Sequence, residues 1–182
     1  MSSIKEKAVF CIRFPKYWRN QMPEKDDVSL SEKYFNKACS LQAKGNLTEA
    51  IEYLKLSIAY NPTAEAYTRL GRIYGYIERY EAAIDQCIRA TSLAPDNGDI
   101  YNDIGSYYIN LGQYDHAVEW LNKALNAPQN EFKFYPLYNL GRISEMKGLW
   151  QDAIFCYKEA LHLNPAYEEA ERSLTRVYSY LN

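Results

Sequence analysis

The feature that most constrains this chain is a pattern of small and bulky residues that recurs along it. A glycine preceded by leucine or isoleucine occurs at Gly71, Gly105 and Gly141, so the spacing is 34 residues and then 36. Recurrence at a nearly fixed period is typical of repeat proteins, in which each copy is one supersecondary unit. The sequence is therefore interpreted copy by copy.

A second recurring pattern predicts what each copy folds into. Ala83, Ala117 and Ala153 are each followed seven residues later by another alanine. The apolar periodicity within a copy is helical, which predicts two helices of about fourteen residues each. Small residues in both helices let an antiparallel pair approach closely. A single pair cannot bury its apolar side, so the pairs are expected to stack.

The period divides the 182 residues into four copies flanked by two other segments. The predicted copies are residues 31–63, 64–97, 98–133 and 134–167, preceded by an N-terminal extension or linker, 1–30, and followed by a C-terminal capping helix, 168–182. The outward side of that cap is expected to carry Glu169, Arg172, Ser173 and Arg176.

Glycine follows the first helix in three of the four copies, at Gly45, Gly112 and Gly148. A left-handed residue ends a helix there, and glycine adopts that conformation at least cost. The second copy has Glu78 instead, which is expected to cost up to about 1 kcal/mol. Prolines after the second helices, such as Pro95 and Pro165, cannot continue a helix interior.

These residues resemble the tetratricopeptide repeat family. The family's order of aromatic, Leu-Gly, Tyr, Gly, Tyr, Ala, Ala and Pro is matched best in 64–97 and nearly as well in the next two copies. Departures are Lys37 where the family has leucine, Glu78 for glycine, and the missing proline after Ala127. The resemblance implies an all-α, right-handed superhelical solenoid of about four helix pairs plus the capping helix.

The resemblance also implies a function, because the first helices of such a solenoid line a concave groove that holds a partner peptide or protein. By register, the groove residues are expected to be Phe35, Asn36, Cys39, Thr68, Arg69, Arg72, Tyr76, Asp99, Asn102, Asp103, Ser106, Asn110, Tyr135, Tyr138, Asn139, Arg142, Arg172 and Arg176.

Two interpretations of the arginines stay open. Arg72, Arg142 and Arg176 occupy equivalent places, and the planar guanidinium suits recognition of carboxylates. Alternatively, Arg69 and Arg72 pair laterally with Asp103 on the next first helix. Fewer acids are expected beside Arg142 and Arg176, which leaves both a ligand role and lateral pairing open there.

The asparagines allow two interpretations as well. Asn102 and Asn139 either hydrogen-bond the backbone of a bound peptide or are solvated residues of a helix face.

The resemblance makes one specialised function testable. Family members that hold acidic chaperone tails use lysine, asparagine and arginine at set places of three first helices. Here those places hold Phe35 and Cys39, then Arg69, then Asp99 and Asp103. The two acids would repel an acidic tail, and a frame shifted by one copy fits no better. A chaperone-tail adaptor is therefore not expected.

Composition argues against several other classes of function. The formal charge is −2, so no broad basic surface is available for nucleic acid or an anionic membrane. The four cysteines form no CxxC, and neither histidine lies at metal-ligand spacing from a cysteine, so no metal site or other cofactor is expected. No signal peptide or membrane span is apparent, and a cytoplasmic location is expected.

Two irregular segments lie outside the repeat pattern. Arg13 to Arg19 interleaves bases with aromatics, and Met22 to Asp27 has the composition of a linker. The aromatics there are expected to pack on the first repeat or to occupy the groove, rather than to bind single-stranded nucleic acid. In the longer third copy, Phe132 and Phe134 either fill a widened joint between repeats or form an exposed contact patch.

The sequence predicts a non-enzymatic protein-interaction scaffold. No glycine-rich phosphate loop and no nucleophile placed with histidine is evident. The alternatives are a self-associating assembly subunit, which leaves a homo-oligomer open, and an enzyme-regulating subunit.

Overall fold

A computed structural model of the chain describes residues 25–181. Within this range the chain forms α-helices joined by short turns and loops. The helices are α1 Lys25–Ala43, α2 Leu47–Tyr60, α3 Ala64–Tyr76, α4 Tyr80–Leu93, α5 Gly98–Asn110, α6 Tyr114–Asn126, α7 Phe134–Met146, α8 Trp150–Leu163 and α9 Glu168–Leu181. They fall into two compact units, which divide between Leu93 and Ala94.

The first unit holds two antiparallel helix pairs, α1 with α2 and α3 with α4. The second helix of one pair also packs on the first helix of the next, α2 on α3. Leu41, Leu54, Leu70 and Ile73 share one core there. Neither pair could bury these side chains alone, so the expected stacking holds within the unit.

The second unit holds two further pairs and a final single helix. α5 pairs with α6 and α7 with α8, while α6 and α5 both contact α7, and α9 packs on α8. Leu121 and Ile143 share a core between α6 and α7. Tyr157 and Val177 share another between α8 and α9. The pairs therefore stack here in the same way as in the first unit.

The recurring glycines mark the closest approach inside each pair. A Cβ atom on Gly71 would lie 2.7 Å from Cys87 Sγ, and one on Gly105 would lie 2.7 Å from two atoms of Leu121. On Gly141 the clash would be with the ring of fully buried Tyr157, at 2.6 Å. The small residues are thus required by helix contact, as the sequence predicts.

The turns inside the pairs confirm the expected left-handed residues. Gly45, Gly112 and Gly148 have φ between 72° and 78°, and Glu78 has φ of 61° at the same place in the second pair. A side chain in this conformation places Cβ close to the following carbonyl oxygen. Glu78 therefore carries a backbone cost that the three glycines avoid.

The prediction of a linker over Met22 to Asp27 is wrong for its C-terminal part, because α1 already begins at Lys25. Asp26 and Asp27 lie in the first turn, where carboxylates interact favourably with the free amide groups of a helix N-terminus. The aromatic and basic segment Arg13 to Arg19 lies outside the described residues.

The additional residues of the third copy lie in the loop between α6 and α7, residues 127–133. Hydrogen bonds hold this loop at several points, and we call it the pinned loop. Gly98 N donates to Gln129 O at 2.7 Å, and Gln129 N donates to Asp96 O at 3.0 Å. Asn130 Nδ2 donates to Ala124 O at 2.6 Å. The additional residues are therefore held by a short parallel pairing with the segment before α5.

Replacing Glu78 with glycine is expected to stabilise the protein by up to about 1 kcal/mol, because it removes the left-handed strain. The change would be measured as a raised urea midpoint. The matched control is Gly112→Ala, which adds a Cβ with no atom within 4 Å and therefore reports the backbone cost alone. A lowered midpoint for Glu78→Gly would contradict the assignment of strain.

Gly98→Ala is expected to cost about 1–2 kcal/mol, because the new Cβ would lie 2.6 Å from Asn130 Cβ and push the pinned loop away. Denaturation of the Gly98→Ala and Asn130→Gly single variants and of the double variant measures this coupling. Gly98→Ala should cost less in the Asn130→Gly background than in the wild type, because the clashing side chain is gone. An equal cost of Gly98→Ala in the two backgrounds would show that the loss does not come from this contact.

Candidate interaction surface

Three polar side chains on the adjacent first helices α5 and α7 form a connected chain of hydrogen bonds. Asn139 Nδ2 donates to Asn102 Oδ1 at 3.0 Å, and Arg142 Nη1 donates to Asn139 Oδ1 at 3.1 Å. Asn139 is only 6% exposed, whereas Asn102 and Arg142 are half-buried. Three of the residues expected in the groove thus lie together, and Asn102 and Asn139 bond each other.

Arg142 is held in place without an acid. Its guanidinium lies 6.0 Å from the ring centre of Tyr138, within the range of a cation–π contact. No carboxylate of the described part of the chain lies within 4.0 Å of it. The prediction that few acids lie beside Arg142 is therefore confirmed at this distance. A half-buried cation of this kind can still accept an anionic partner.

Arg176 differs from Arg142, because an acid does lie beside it. The prediction of few neighbouring acids is therefore wrong for Arg176. Its Nε and Nη2 donate to Glu145 Oε1 and Oε2 at 2.8 and 3.0 Å. Tyr157 Oη also donates to Glu145, at 2.7 Å. The hydrogen bonds from Arg176 lower the pKa of Glu145 against the effect of burial. Burial and the neighbouring carboxylate raise the pKa of Tyr157.

The cap is only partly as expected. Ser173 is buried rather than outward-facing, and it accepts a hydrogen bond from Arg176 Nη2 at 3.2 Å. Ala170, Ser173 and Val177 form the side of α9 that packs inward, which the register of the cap did not show. Arg172 is exposed and lies 3.6 Å from both Glu168 and Glu169, so it has acids of its own helix beside it.

In the first unit, Arg69 contacts neighbours on α1 and α3, but its buried Nε has no hydrogen-bond partner among the described residues. Its Nη1 donates to Gln42 at 3.2 Å, Nη2 lies 3.8 Å from Glu65, and the guanidinium stacks 5.2 Å from the ring centre of Phe35. Tyr76, at the end of α3, is 79% exposed. The lateral pairing expected between Asp103 and Arg69 or Arg72 stays a prediction.

Phe132 in the pinned loop and Phe134 at the start of α7 differ in burial. Phe134 is buried against Tyr135 and Tyr167, with ring centres 4.3 and 5.0 Å away. Phe132 is 44% exposed and contacts the ring of Phe134 edge-on at 6.0 Å. Phe134 thus packs toward the end of the fourth copy and the cap, in one core with Ala160 and Ala170, whereas Phe132 lies at the surface beside half-exposed Tyr135.

Residues 25–181 offer little for metal binding, thiol chemistry at Cys156 or membrane insertion. No group of three His, Cys, Asp or Glu side chains there could hold a metal ion. Burial raises the pKa of the Cys156 thiol, which disfavours the thiolate. No helix in this range is long and apolar enough to cross a membrane.

Comparison with known proteins identifies the class. Models of the tetratricopeptide repeat match residues 31–63, 62–130 and 134–167, which together make up most of the chain. The chain therefore belongs to the tetratricopeptide repeat family.

Two relatives illustrate how similar the chain is to other proteins. The chain is 26% identical to BBSome complex member BBS4 of Bos taurus over 145 residues, and 26% identical to Tetratricopeptide repeat protein 16 of Mus musculus over 156 residues. Each match covers 79% of this chain but only 27% and 20% of the respective relative. The chain thus spans about a quarter or less of the length of these relatives.

Solved structures show the same fold. MamA has a TM-score of 0.71 at 22% identity, covering 82% of this chain and 81% of that one. PilF of Pseudomonas aeruginosa has a TM-score of 0.76 at 17% identity, covering 86% and 71%. YrrB, described as a TPR protein with an unusual peptide-binding site, has a TM-score of 0.63 at 23% identity, covering 81% and 75%. These similarities confirm the predicted all-α tetratricopeptide fold.

Acidification is expected to loosen α9. Glu145 has a depressed folded-state pKa, so its stabilising contribution is present above the unfolded value of about 4.3 and is lost as the pH falls through the folded value. Because Arg176 is 47% exposed and Glu145 only 15%, solvent reduces the contribution to about 1 kcal/mol. Urea midpoints of the wild type from pH 7 to pH 3 measure it.

Glu145→Gln should flatten that pH dependence, whereas Glu119→Gln, an exposed acid of α6, serves as the matched control. An equally steep loss of stability in Glu145→Gln and the wild type would show that the acid-sensitive step lies elsewhere.

Proposed function

We propose that this protein is an interaction scaffold that holds a partner peptide or protein on the polar faces of its first helices. The observation that carries the proposal is the chain Asn102–Asn139–Arg142, since it places half-buried polar groups on adjacent first helices with bonding capacity to spare. Membership of a repeat family whose solved relatives include a peptide-binding protein supports it. The proposal includes no catalytic step.

The second helices are less suited to this role. Lys123 of α6 lies 4.0 Å from the ring centre of Trp120, and Lys158 of α8 lies 5.8 Å from that of Tyr178. Both lysines are exposed and make no hydrogen bond within residues 25–181, so ordering them on a partner costs more side-chain entropy than ordering Arg142, which is bonded to buried Asn139. A preorganised group such as Arg142 loses less freedom when a partner binds.

Site-specific photo-crosslinking tests the proposal. Peptides that bind the intact protein are first selected from a display library and are then cross-linked to it. The photoreactive residue would replace exposed Asn110 of α5 or Tyr135 of α7, and in control variants exposed Glu119 of α6 or Phe155 of α8. We expect cross-links chiefly from the first-helix positions. Cross-links chiefly from α6 and α8, or failure to select any peptide, would contradict the proposal.

Self-association is a second candidate, and the exposure of Phe132 in the pinned loop and of Tyr135 in the first turn of α7 favours it. Aromatic side chains are enriched at protein interfaces. Light scattering at several concentrations distinguishes a monomer from an assembly, and Phe132→Ser should lower the apparent mass if this surface joins copies. An unchanged monomer mass at all concentrations would exclude this role.

A further inference from the structure

The hydrogen bonds of the Asn102–Asn139–Arg142 chain have a direction that is fixed by the arginine. A guanidinium only donates, so Asn139 must present its carbonyl oxygen Oδ1 to Arg142. The amide nitrogen of Asn139 is then turned toward Asn102, and Asn102 must accept its hydrogen bond with the oxygen Oδ1. Both carboxamide orientations follow from one charged donor.

This direction uses one lone pair of each asparagine oxygen and leaves several N–H donors unpaired. The oxygens Oδ1 of Asn102 and Asn139 each already accept one hydrogen bond inside the protein. Asn102 Nδ2 has no hydrogen-bond partner among the described residues, and only Nη1 of the Arg142 nitrogens has one. The surface therefore offers N–H groups and one positive charge.

The nearest acid on α7 is withheld from this surface. Glu145 lies one helical turn after Arg142, a spacing at which oppositely charged side chains can pair. However, both of its carboxylate oxygens already accept hydrogen bonds from Arg176, and one of them also accepts from Tyr157. Arg176 is therefore a positioning residue that leaves Arg142 available.

We propose that Arg142 and Asn102 form a subsite for a single carboxylate, such as a glutamate or aspartate side chain of the bound partner. The inference rests on the proposed function and specifies its ligand chemistry. A peptide amide is neutral and would use an acceptor as well as a donor, whereas each asparagine oxygen here already accepts one hydrogen bond. A carboxylate has acceptors only and brings the opposite charge, so it matches the surface in both respects.

The test uses two small probes that differ in one group, N-acetylglutamate N-methylamide and its glutamine counterpart. Each is titrated into ¹⁵N-labelled intact protein while the arginine Nε–H and asparagine side-chain signals are followed. The carboxylate probe should shift the signals of Arg142 and Asn102 and bind about tenfold more tightly than the amide probe. Arg79, an exposed arginine, is the internal control and should not shift comparably.

Two variants separate this subsite from nonspecific attraction of an anion. Asn102→Asp can still accept the hydrogen bond from Asn139 but replaces the outward donor with a negative charge, so binding of the carboxylate probe should be lost. Asn122→Asp makes the same charge change at an exposed position of α6, and this variant should bind the carboxylate probe as the wild type does. Arg176→Gln should weaken binding severalfold, because Glu145 becomes free to pair with Arg142.

Equal binding of the two probes, equal shifts of Arg79 and Arg142, or unchanged carboxylate binding by Asn102→Asp would each overturn the subsite. These results can be distinguished from failure of the proposed function. If selected peptides still cross-link to the first helices but do not depend on an acidic residue, the scaffold stands and the carboxylate subsite falls.

Discussion

The close approach of two helices at a glycine is the contact on which the remaining structure depends. Gly71, Gly105 and Gly141 each lie beneath a buried residue of the partner helix, at distances that leave no room for a side chain. Packing at such a crossing fixes both the separation and the rotation of a pair. The rotation in turn decides which residues of the first helix are buried and which remain available for contacts outside the pair. The polar surface on α5 and α7 is thus a consequence of how each pair packs on its own second helix.

The fourth pair uses the same crossing to join its core to its surface. Where the second and third pairs place Cys87 and Leu121 over the glycine, the fourth places Tyr157, whose ring is fully buried. A phenol there needs a hydrogen-bond partner, and Glu145 supplies it. Glu145 in turn binds Arg176 of α9. One change of core residue therefore introduces a polar connection that fastens the last helix through side chains as well as by apolar packing.

The sequence predicts most of the fold but little of this connection. Small residues, turn glycines and helical periodicity are local signals, and they correctly predicted the paired helices and the left-handed Glu78. Glu145 escaped attention because the corresponding position of the third pair is Ile109, a buried apolar residue, and because Arg176 lies 31 residues further along the chain. Ser173 was misplaced for a similar reason: a polar residue gives no sign that it will be buried when an arginine of its own helix donates to it. Register identifies which residues share a face, but the partner of each charge depends on side-chain reach between helices.

Hydrogen-bond direction adds information that neither composition nor net charge contains. The whole chain carries a formal charge of −2, which by itself disfavours acidic ligands. At the scale of a few side chains, however, Arg142 orders two asparagines so that the surface presents donors, while Arg176 neutralises the closest acid. A short-range attraction within a weakly negative surrounding discriminates by the number of charges on the ligand, which is a different kind of selectivity from that of a broad basic groove.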